Sequence, residues 1–297
     1  TNNYANFPNG YVVHPGFEYS STASGLWVAK FEASQSDAGN NAADYANSTG
    51  GTSGIIKIQP GVNSWRNITI GEMYEKCLSY AGTTLGNASL NSHLMKNTEW
   101  GAVAYLSRSE YGKNGEIWIN PNNKYLTGQA GTGSSVDSTA DTYAYTDETY
   151  GVQASTTGNI YGIYDMSGGA YERVAAYINN SYIQDTGSNQ YGYGEALIKG
   201  ASYTKDVYAV GTTDSSTNNY AANQGKYGDA IYETSNNAIS STGSWHQDYS
   251  YFPYTTDPFF LRGGYYGNTA VAGAFYFINA SSSATFSYSF RPVLVIL

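Results

Sequence analysis

The pattern of apolar and polar residues predicts a few short strands separated by long polar stretches. In residues 25–31 (GLWVAKF) apolar side chains alternate from Leu26 to Phe31, and this period of two residues is typical of a strand. A second short strand, GIIKIQP at 54–60, ends at a proline. The chain closes on a strongly apolar strand, VLVIL at 293–297. We expect 25–31 and 293–297 to pair antiparallel and to bring the two ends of the domain together.

The first helix is predicted over residues 67–82 (NITIGEMYEKCLSYAG). Ile70, Met73 and Cys77 recur at helical spacing, and Gly82 is a natural C-terminal stop. Cys77 is the only cysteine, which excludes an intrachain disulfide and a metal site made of cysteines. We expect it to be a half-buried structural thiol.

The second helix is predicted over residues 91–112 (NSHLMKNTEWGAVAYLSRSEYG). Asn97 or Thr98 is the expected N-cap, and Gly112 is expected to end the helix. The apolar residues expected on its inner side are Trp100, Val103, Ala104 and Leu106. His93, just before the cap, is interpreted as a structural residue.

The order of elements predicts a single α+β domain over residues 25–297. Residues 1–24 form a turn-rich lead-in, interpreted as a tether. Residues 113–160 and 180–260 are dominated by Gly, Ser, Thr, Asn and Tyr, and strand-like character returns at 159–179. Two early helices followed by loops and short strands indicate small antiparallel sheets that are covered by long irregular segments.

Charge excludes one class of partner. The chain of 297 residues has a net charge of −9, and its 14 Lys and Arg residues are scattered singly. Binding to nucleic acid needs clustered basic residues, so we expect no nucleic-acid partner. No run of 18 apolar residues occurs, and we therefore expect no membrane span in this chain.

Tyrosine is the unusual residue type, with 31 copies. A tyrosine offers a large contact area and a hydroxyl group while freezing only two side-chain torsions. Together with Ser, Asn and Gly it makes up the set of residues typical of antibody-like binding surfaces. The alternative is a tyrosine-rich β protein with ordinary half-buried strands.

Five motifs carry a resemblance to a known family. In order along the chain they are GLWVAKFEAS (25–34), NSHLMKNTEWGAVAYLSRS (91–109), YGIYDMSGGAYERVAAY (161–177), LRGGYYG (261–267) and YSFRPVLV (288–295). The order resembles that of proteins of the formylglycine-generating-enzyme type, and the resemblance covers residues 25–297. It implies a C-type-lectin-like fold.

More closely, the chain resembles the variable proteins of diversity-generating retroelements and their relatives in gut bacteria and phages. The resemblance implies that the last segment, 262–292, is a ligand-binding site whose adenine-bearing codons a mutagenic reverse transcriptase rewrites. Arg262 and Arg291 bracket this segment, and we expect them to hold its two ends. Gly263 and Gly264 are expected to allow a tight turn, and Phe275 is expected to lie in the core.

The remaining residues of this segment are the candidate binding residues. We expect the following side chains to be exposed for ligand binding: Tyr265, Tyr266, Asn268, Thr269, Val271, Tyr276, Ile278, Asn279, Ala280, Ser281, Ser283, Thr285, Phe286, Ser287 and Tyr288.

The sequence offers little for catalysis or metal binding. The family's enzymes need reactive cysteines near the C-terminus, and residues 262–297 contain none, so we expect no enzyme activity. The family's calcium motif is matched by GGAYE, in which Gly169 replaces an Asn ligand while Glu172 remains, so no cofactor is expected and calcium is doubtful. His14, His93 and His246 follow no metal-ligand spacing. The acidic residues Asp137, Asp141, Asp147 and Glu148 are interpreted as solvated surface.

The expected function is non-enzymatic binding of a protein or glycan ligand on another cell surface. The resemblance implies display outside the cell, at the head of a pilus-like protein or at the tip of a phage tail fibre. One alternative is a structural subunit of an extracellular fibre or coat, which would polymerise where a binding module stays monomeric or forms a small closed oligomer. A second alternative is a residual glycan-binding lectin, whose binding would be lost with a calcium chelator.

Overall fold

A computed structural model describes residues 13–17, 25–40, 54–184, 192–236 and 244–295, and these ranges have an α+β architecture. The strands are β1 (Leu26–Val28), β2 (Ser34–Gln35), β3 (Ile56–Lys57), β4 (Asn91–Leu94), β5 (Gln129–Ala130), β6 (Tyr143–Ala144), β7 (Tyr171–Ile178), β8 (Asp206–Tyr208), β9 (Phe259–Gly263), β10 (Gly273–Ala280), β11 (Tyr288–Phe290) and β12 (Pro292–Val295). The α-helices are α1 (Ile70–Thr83), α2 (Asn97–Arg108), α3 (Ser181–Gln184), α4 (Glu195–Lys199) and α5 (Ser216–Asn223). The predicted tether at 1–24 lies outside the described residues except for 13–17.

The two ends of the domain pair as the sequence predicts. β1 runs antiparallel to β12, with Leu26 opposite Val295 and Val28 opposite Val293. β4 pairs with the other edge of β12, and the three strands form a small sheet in the order β1-β12-β4. Residues 296–297 of the predicted last strand lie outside the described residues.

The larger sheet is mixed, which corrects the expectation of antiparallel sheets. Its order is β10-β9-β7-β11, and β8 also pairs with β7. β9 runs antiparallel to β7 and β10, but β11 and β8 each run parallel to β7. The two short strands share one edge of β7: β11 lies beside residues 171–173 and β8 beside 176–178. Each short strand follows a loop, and the path of that loop decides whether the strand runs parallel or antiparallel to β7. The sequence pattern does not reveal this path, so it could not predict the direction of β8 and β11.

The first helix is close to the prediction but differs at its end. Thr69 caps α1 in a capping box with Glu72, whose carboxylate accepts from the Thr69 backbone N–H at 2.6 Å. The helix continues through Gly82 to Thr83, because Tyr80 and Ala81 in its last turn are buried. Cys77 is fully buried rather than half-buried, and burial raises the pKa of its thiol.

The second helix is shorter than predicted at both ends. Residues 91–94 form β4, because pairing with β12 takes precedence over the helical spacing. The N-cap is Lys96, whose backbone N–H donates to Glu99 at 2.8 Å, so the expected caps Asn97 and Thr98 are wrong. The helix ends at Arg108, four residues before the predicted stop. The expected inner residues Trp100, Val103 and Ala104 are buried, and Leu106 is partly exposed.

Two large apolar clusters pack around the main sheet. One joins α2 to the sheet and includes Trp100, Phe260 and Phe275. The other joins α1 to the opposite side and includes Cys77 and Phe290. The expectation that Phe275 lies in the core is confirmed.

Arg291 lies between β11 and β12, where the chain leaves the main sheet and enters the small sheet. Its fully buried guanidinium donates to the Glu172 carboxylate on β7, with Nε to Oε2 at 2.6 Å. It also donates to the backbone carbonyl of Ala29 and to that of Tyr164, each at 3.0 Å. One side chain therefore joins the N-terminal segment, both sheets and the loop that contains Tyr164.

Three buried carboxyl groups surround this single arginine. Glu32 and Asp165 are as buried as Glu172, and Glu32 accepts a hydrogen bond from the Ala170 N–H at 2.9 Å. Burial, and then the charge of Asp165, raise the pKa of Glu32 well above its ordinary value. Since one guanidinium cannot balance three buried charges, we infer that Glu32 keeps its proton at neutral pH.

This arrangement predicts a pH dependence of stability. The folded protein retains the Glu32 proton, which the unfolded chain releases above about pH 4.5, so this group's contribution to stability is lost as the pH rises. The free energy of unfolding should fall with rising pH relative to Glu32→Gln, whose neutral side chain has no proton to release, by up to about 1.4 kcal/mol per pH unit. Urea unfolding of both proteins from about pH 5 to about pH 7 measures the difference. Parallel stability curves would contradict a protonated Glu32.

Candidate ligand-binding face

Residues 262–292 span the end of β9, a 3₁₀ turn at Tyr266–Val271, β10, the loop 281–287 and β11. The turn after β9 needs glycine, because Gly263 and Gly264 have φ angles of 80° and 73°. A side chain on Gly264 would also place its Cβ 2.9 Å from the Cβ of Ala272. The expected tight turn is therefore present.

Arg262 is buried at the start of the segment, as Arg291 is at its end. Its guanidinium donates to the backbone carbonyl of Tyr276 at 3.2 Å and to that of Asp229 at 2.5 Å. Burial lowers the pKa of Arg262 to about 10, which leaves it charged at neutral pH. Both arginines are therefore buried and hydrogen-bonded to the protein interior at the two ends of the segment.

The candidate residues differ in exposure. Ser283 and Phe286 are exposed, with 60% of Phe286 accessible to solvent. Ten candidates are partly exposed: Tyr265, Tyr266, Asn268, Thr269, Val271, Ile278, Asn279, Ser281, Thr285 and Tyr288. The other three are buried, against expectation: Tyr276, Ala280 and Ser287.

Each buried candidate is covered by a neighbouring strand or segment. Residues 249–251 run along β10, where the Tyr251 N–H donates to the Phe277 carbonyl at 3.0 Å, and the ring of Tyr249 lies 5.9 Å from that of Tyr276. Ala280 pairs with a buried residue of β9. The Ser287 carbonyl accepts from the first residue of β7 at 3.0 Å.

A cluster of tyrosines joins this segment to the rest of the molecule. We call the following residues the tyrosine cluster: Tyr125, Tyr171, Tyr249, Tyr251, Tyr265, Tyr266, Tyr276 and Tyr288. Tyr171 is central, because its ring stacks on Tyr265 at 4.9 Å between centroids and contacts Tyr276 and Tyr288 at 5.8 Å. Offset or edge-on ring contacts of this kind stabilise the arrangement beyond the area they bury.

The hydroxyl groups of Tyr171 and Tyr276 remain protonated at neutral pH. Burial raises the pKa of Tyr171, and it raises that of Tyr276 well above its ordinary value. Tyr171 hydrogen-bonds to Tyr276 and to the Asn268 side chain. The partly exposed members of the cluster can present hydroxyl groups and ring faces to a ligand.

Two buried arginines outside the segment hold the loop 281–287 by its backbone. Arg66 donates to the Phe286 carbonyl, and Arg173 donates to the Ser283 carbonyl at 2.7 Å. Each guanidinium also faces a ring of the tyrosine cluster, at 3.9 Å from Tyr125 and 4.8 Å from Tyr288 respectively. Burial lowers the pKa of each arginine to about 10, so both remain charged at neutral pH.

Backbone N–H groups complete the support of this loop. The Asn67 N–H donates to the Thr285 carbonyl at 3.0 Å, and the Ile70 N–H donates to the Ser282 carbonyl at 3.3 Å. With the Ser287 carbonyl, which accepts from the Tyr171 N–H, five backbone carbonyls of the loop are thus bound by residues outside the segment. The exposed side chains of Ser283 and Phe286 and the partly exposed side chain of Thr285 take no part in these bonds.

The sequence reasoning missed the parts of this face that lie outside residues 262–292. Tyr171 lies within one of the five resembling motifs, at 161–177. Tyr249 and Tyr251 in DYSYF are two residues apart, which is the spacing of a strand with both rings on one side. That spacing could have indicated that the two rings belong to one surface. Arg66 and Arg173 gave no such signal, because a single arginine among polar residues shows nothing of its burial.

Two carboxylates considered for metal binding, Glu172 and Asp147, have other partners. Glu172 binds Arg291, and a side chain at Gly169 would bring its Cβ 2.8 Å from the Glu32 carboxylate. Asp147 accepts two backbone N–H bonds within its own turn. Over the described ranges no group of three or more His, Cys, Asp or Glu residues is placed to hold a metal ion.

The three histidines are dispersed among unrelated parts of the fold. His93 is buried and bonds to Glu99 at 2.8 Å, and His246 lies 3.8 Å from Glu116. His14 lies in the Pro15–Phe17 region, where its Nδ1 accepts from the Gly16 N–H.

No protein-family model and no curated protein matches this chain. Among the described residues, none of the helices combines the length and the apolar character that crossing a membrane requires.

The exposure pattern predicts that two aromatic substitutions change the free energy of unfolding by very different amounts. Tyr276→Ala should destabilise the protein by about 3–5 kcal/mol, because it empties a buried site in the core. Phe286→Ala should change stability by no more than about 0.5 kcal/mol, because its ring is mostly in solvent. Urea unfolding of the two variants provides the measurement. Equal losses would show that Phe286 is part of the core.

Proposed function

We propose that this chain is a non-enzymatic ligand-binding protein whose segment 262–292 is a replaceable binding face. In this proposal it resembles the variable proteins of diversity-generating retroelements. The observation that carries the proposal is the structure of the loop 281–287. Buried arginines and backbone N–H groups outside the segment bind its carbonyls, while the side chains of Ser283, Thr285 and Phe286 reach the surface.

The energetic argument concerns which groups hold the loop. Backbone carbonyls are the same whatever the side chain, so bonds from Arg66 and Arg173 survive a change of sequence. A substitution at an exposed position alters little more than its own solvation, typically within about 0.5 kcal/mol. A binding face with this property can change its ligand without changing its fold.

The tyrosine cluster supports recognition of a protein or glycan surface. Its partly exposed rings offer contact area at little entropic cost, and their hydroxyl groups give adaptable hydrogen bonds. Phe286 would add an apolar anchor at the rim, since aromatic residues contribute much of the binding energy at interfaces.

We also propose that the α+β architecture is a C-type-lectin-like fold of the formylglycine-generating-enzyme type. The support is the placement of the five resembling motifs on β1, α2, β7, β9 and β11–β12, with the first and last strands paired. Under this proposal the protein acts outside the cell, at a cell surface, on a pilus-like protein or at a phage tail tip.

A loop library tests the proposed face directly. Randomising residues 283–286 together should leave most variants folded, with melting temperatures within a few degrees of the parent, because the loop's anchors are backbone groups. The control library randomises the buried residues Ser282, Ser287 and Ser289, and most of its members should be destabilised.

The library at residues 283–286, displayed on yeast and selected on hen lysozyme as an arbitrary target, should yield specific binders. Loss of folding in both libraries alike would overturn the proposal, because it would show that side chains hold the loop.

A further inference from the structure

β1 is an edge strand of the small sheet. It lies at the end of the order β1-β12-β4 and, among the described strands, pairs only with β12. Trp27 at its centre is 66% exposed to solvent. Prolines and charged residues commonly protect an exposed edge, and residues 25–28 (GLWV) contain neither. This edge therefore lacks the usual protection against pairing with another strand.

The backbone groups that face this edge belong to Leu26 and Val28. On the inner side of the strand, the Ala29 N–H donates to a carbonyl of β12 at 3.1 Å. On the outer side, the Lys30 carbonyl accepts from the Tyr164 N–H at 2.8 Å. Since alternate residues of a strand bond to opposite sides, Leu26 and Val28 direct their N–H and C=O groups outward. No described residue bonds to these outward groups.

An apolar groove borders β1. Its volume is about 550 Å³, and all three residues of β1 contribute to its lining. Among the described residues, the rest of the lining contains no Asp, Glu, Lys or Arg and consists of His14, Phe17, Ala102, Val103, Tyr105, Leu106, Ser109 and Ile163. Burial lowers the pKa of His14, which leaves it neutral at pH 7. The open edge therefore lies beside an uncharged and largely apolar surface.

These features favour a second copy of the chain as the partner. Leu26 and Val28 lie symmetrically on either side of Trp27, so two antiparallel copies of β1 can satisfy each other's outward groups. The two Trp27 side chains then lie directly opposite each other on one face of the joined sheet. A chain with a net charge of −9 repels its own copies, and on this uncharged surface two copies can meet without bringing like charges together.

We propose that the chain forms a two-fold symmetric dimer by antiparallel pairing of β1 with β1 of a second copy. Each outward N–H group of one copy donates to a carbonyl of the other, which joins the two small sheets into one continuous sheet. The pairing stops after Val28, because Tyr164 already occupies the outer side at Lys30. No lining residue of the groove belongs to segment 262–292, so the dimer interface is a different surface from the proposed binding face.

The interface is small, and the dimer should therefore dissociate on dilution. Stable interfaces bury about 800 Å² from each partner, whereas one tryptophan supplies at most about 250 Å². We expect a dissociation constant on the order of 10 to 100 µM, which places the transition within the range of concentrations that sedimentation can cover.

Sedimentation equilibrium of the whole chain at pH 7 tests the dimer. Between about 5 µM and about 1 mM, the weight-average mass should rise from that of one chain toward that of two. Trp27→Lys and Trp27→Glu should each stay monomeric, because each places like charges opposite one another, and their equimolar mixture should associate more strongly than either alone. Phe286→Lys changes a similarly exposed aromatic residue on the candidate face and should leave the dimer unchanged.

Two further measurements separate β1 pairing from other effects. Trp27→Lys should keep the melting temperature of the parent at about 5 µM, where both are monomeric, because the Trp27 ring is mostly exposed. In hydrogen-exchange NMR at about 1 mM, the Leu26 and Val28 amides should exchange several times more slowly in the parent than in Trp27→Lys. The Ala29 amide, which bonds within the small sheet, should exchange equally in both.

Four results would each overturn the proposal. They are a monomer up to about 1 mM, an unchanged dimer in Trp27→Lys, a mixture of the two charged variants that associates no better than its components, and a dimer without protection of the Leu26 and Val28 amides. The loop libraries would be unaffected by such a failure, since they probe a different surface.

Discussion

The buried guanidinium of Arg291 is the interaction on which the rest of the fold depends. It lies where the chain passes between sheets, and its donors reach Glu172 on β7, the Ala29 carbonyl after β1 and the Tyr164 carbonyl. Removing one partner of a buried ion pair leaves an uncompensated charge, which typically costs about 3–5 kcal/mol. This constraint fixes the end of segment 262–292 inside the molecule, whatever side chains the segment carries on its outer surface.

Buried arginines that donate to backbone carbonyls also support the rest of the candidate face. Arg66, Arg173 and Arg262 are also fully buried, and each donates to a backbone carbonyl within residues 276–286. A guanidinium can make several hydrogen bonds in a fixed plane, so it suits the task of holding irregular backbone where no strand ladder exists. The frame of the face is thus built of backbone and arginine, while its outer surface is built of tyrosine, serine, threonine and phenylalanine.

Sequence reasoning was strongest where local pattern and tertiary structure agree. The pairing of the terminal strands followed from apolar alternation near Leu26 and Val293, and α1 followed from helical spacing with a clear stop region. It failed where tertiary pairing overrides local preference, as at residues 91–94, and where a parallel neighbour is brought in by a loop, as at β8 and β11.

The predictions for the candidate site also succeeded at some residues and failed at others. Ser283 and Phe286 lie at the surface as expected, because a loop with no apolar period has little reason to be buried. Tyr276 does not, since residues 249–251 cover β10 and nothing in the segment itself reveals that cover. Tyrosine suits both the core and the surface, so composition alone could not assign each ring to one of them.

The central claim is that the outer surface of segment 262–292 is replaceable while its frame is fixed. The most direct measurement is deep sequencing of the codons for residues 262–292 across a large population of the cells or virus particles that encode the chain. The account predicts substitutions concentrated at adenine-bearing codons of exposed and partly exposed positions, with Arg262, Gly263, Gly264, Phe275 and Arg291 unchanged. A single invariant sequence throughout the segment would contradict it.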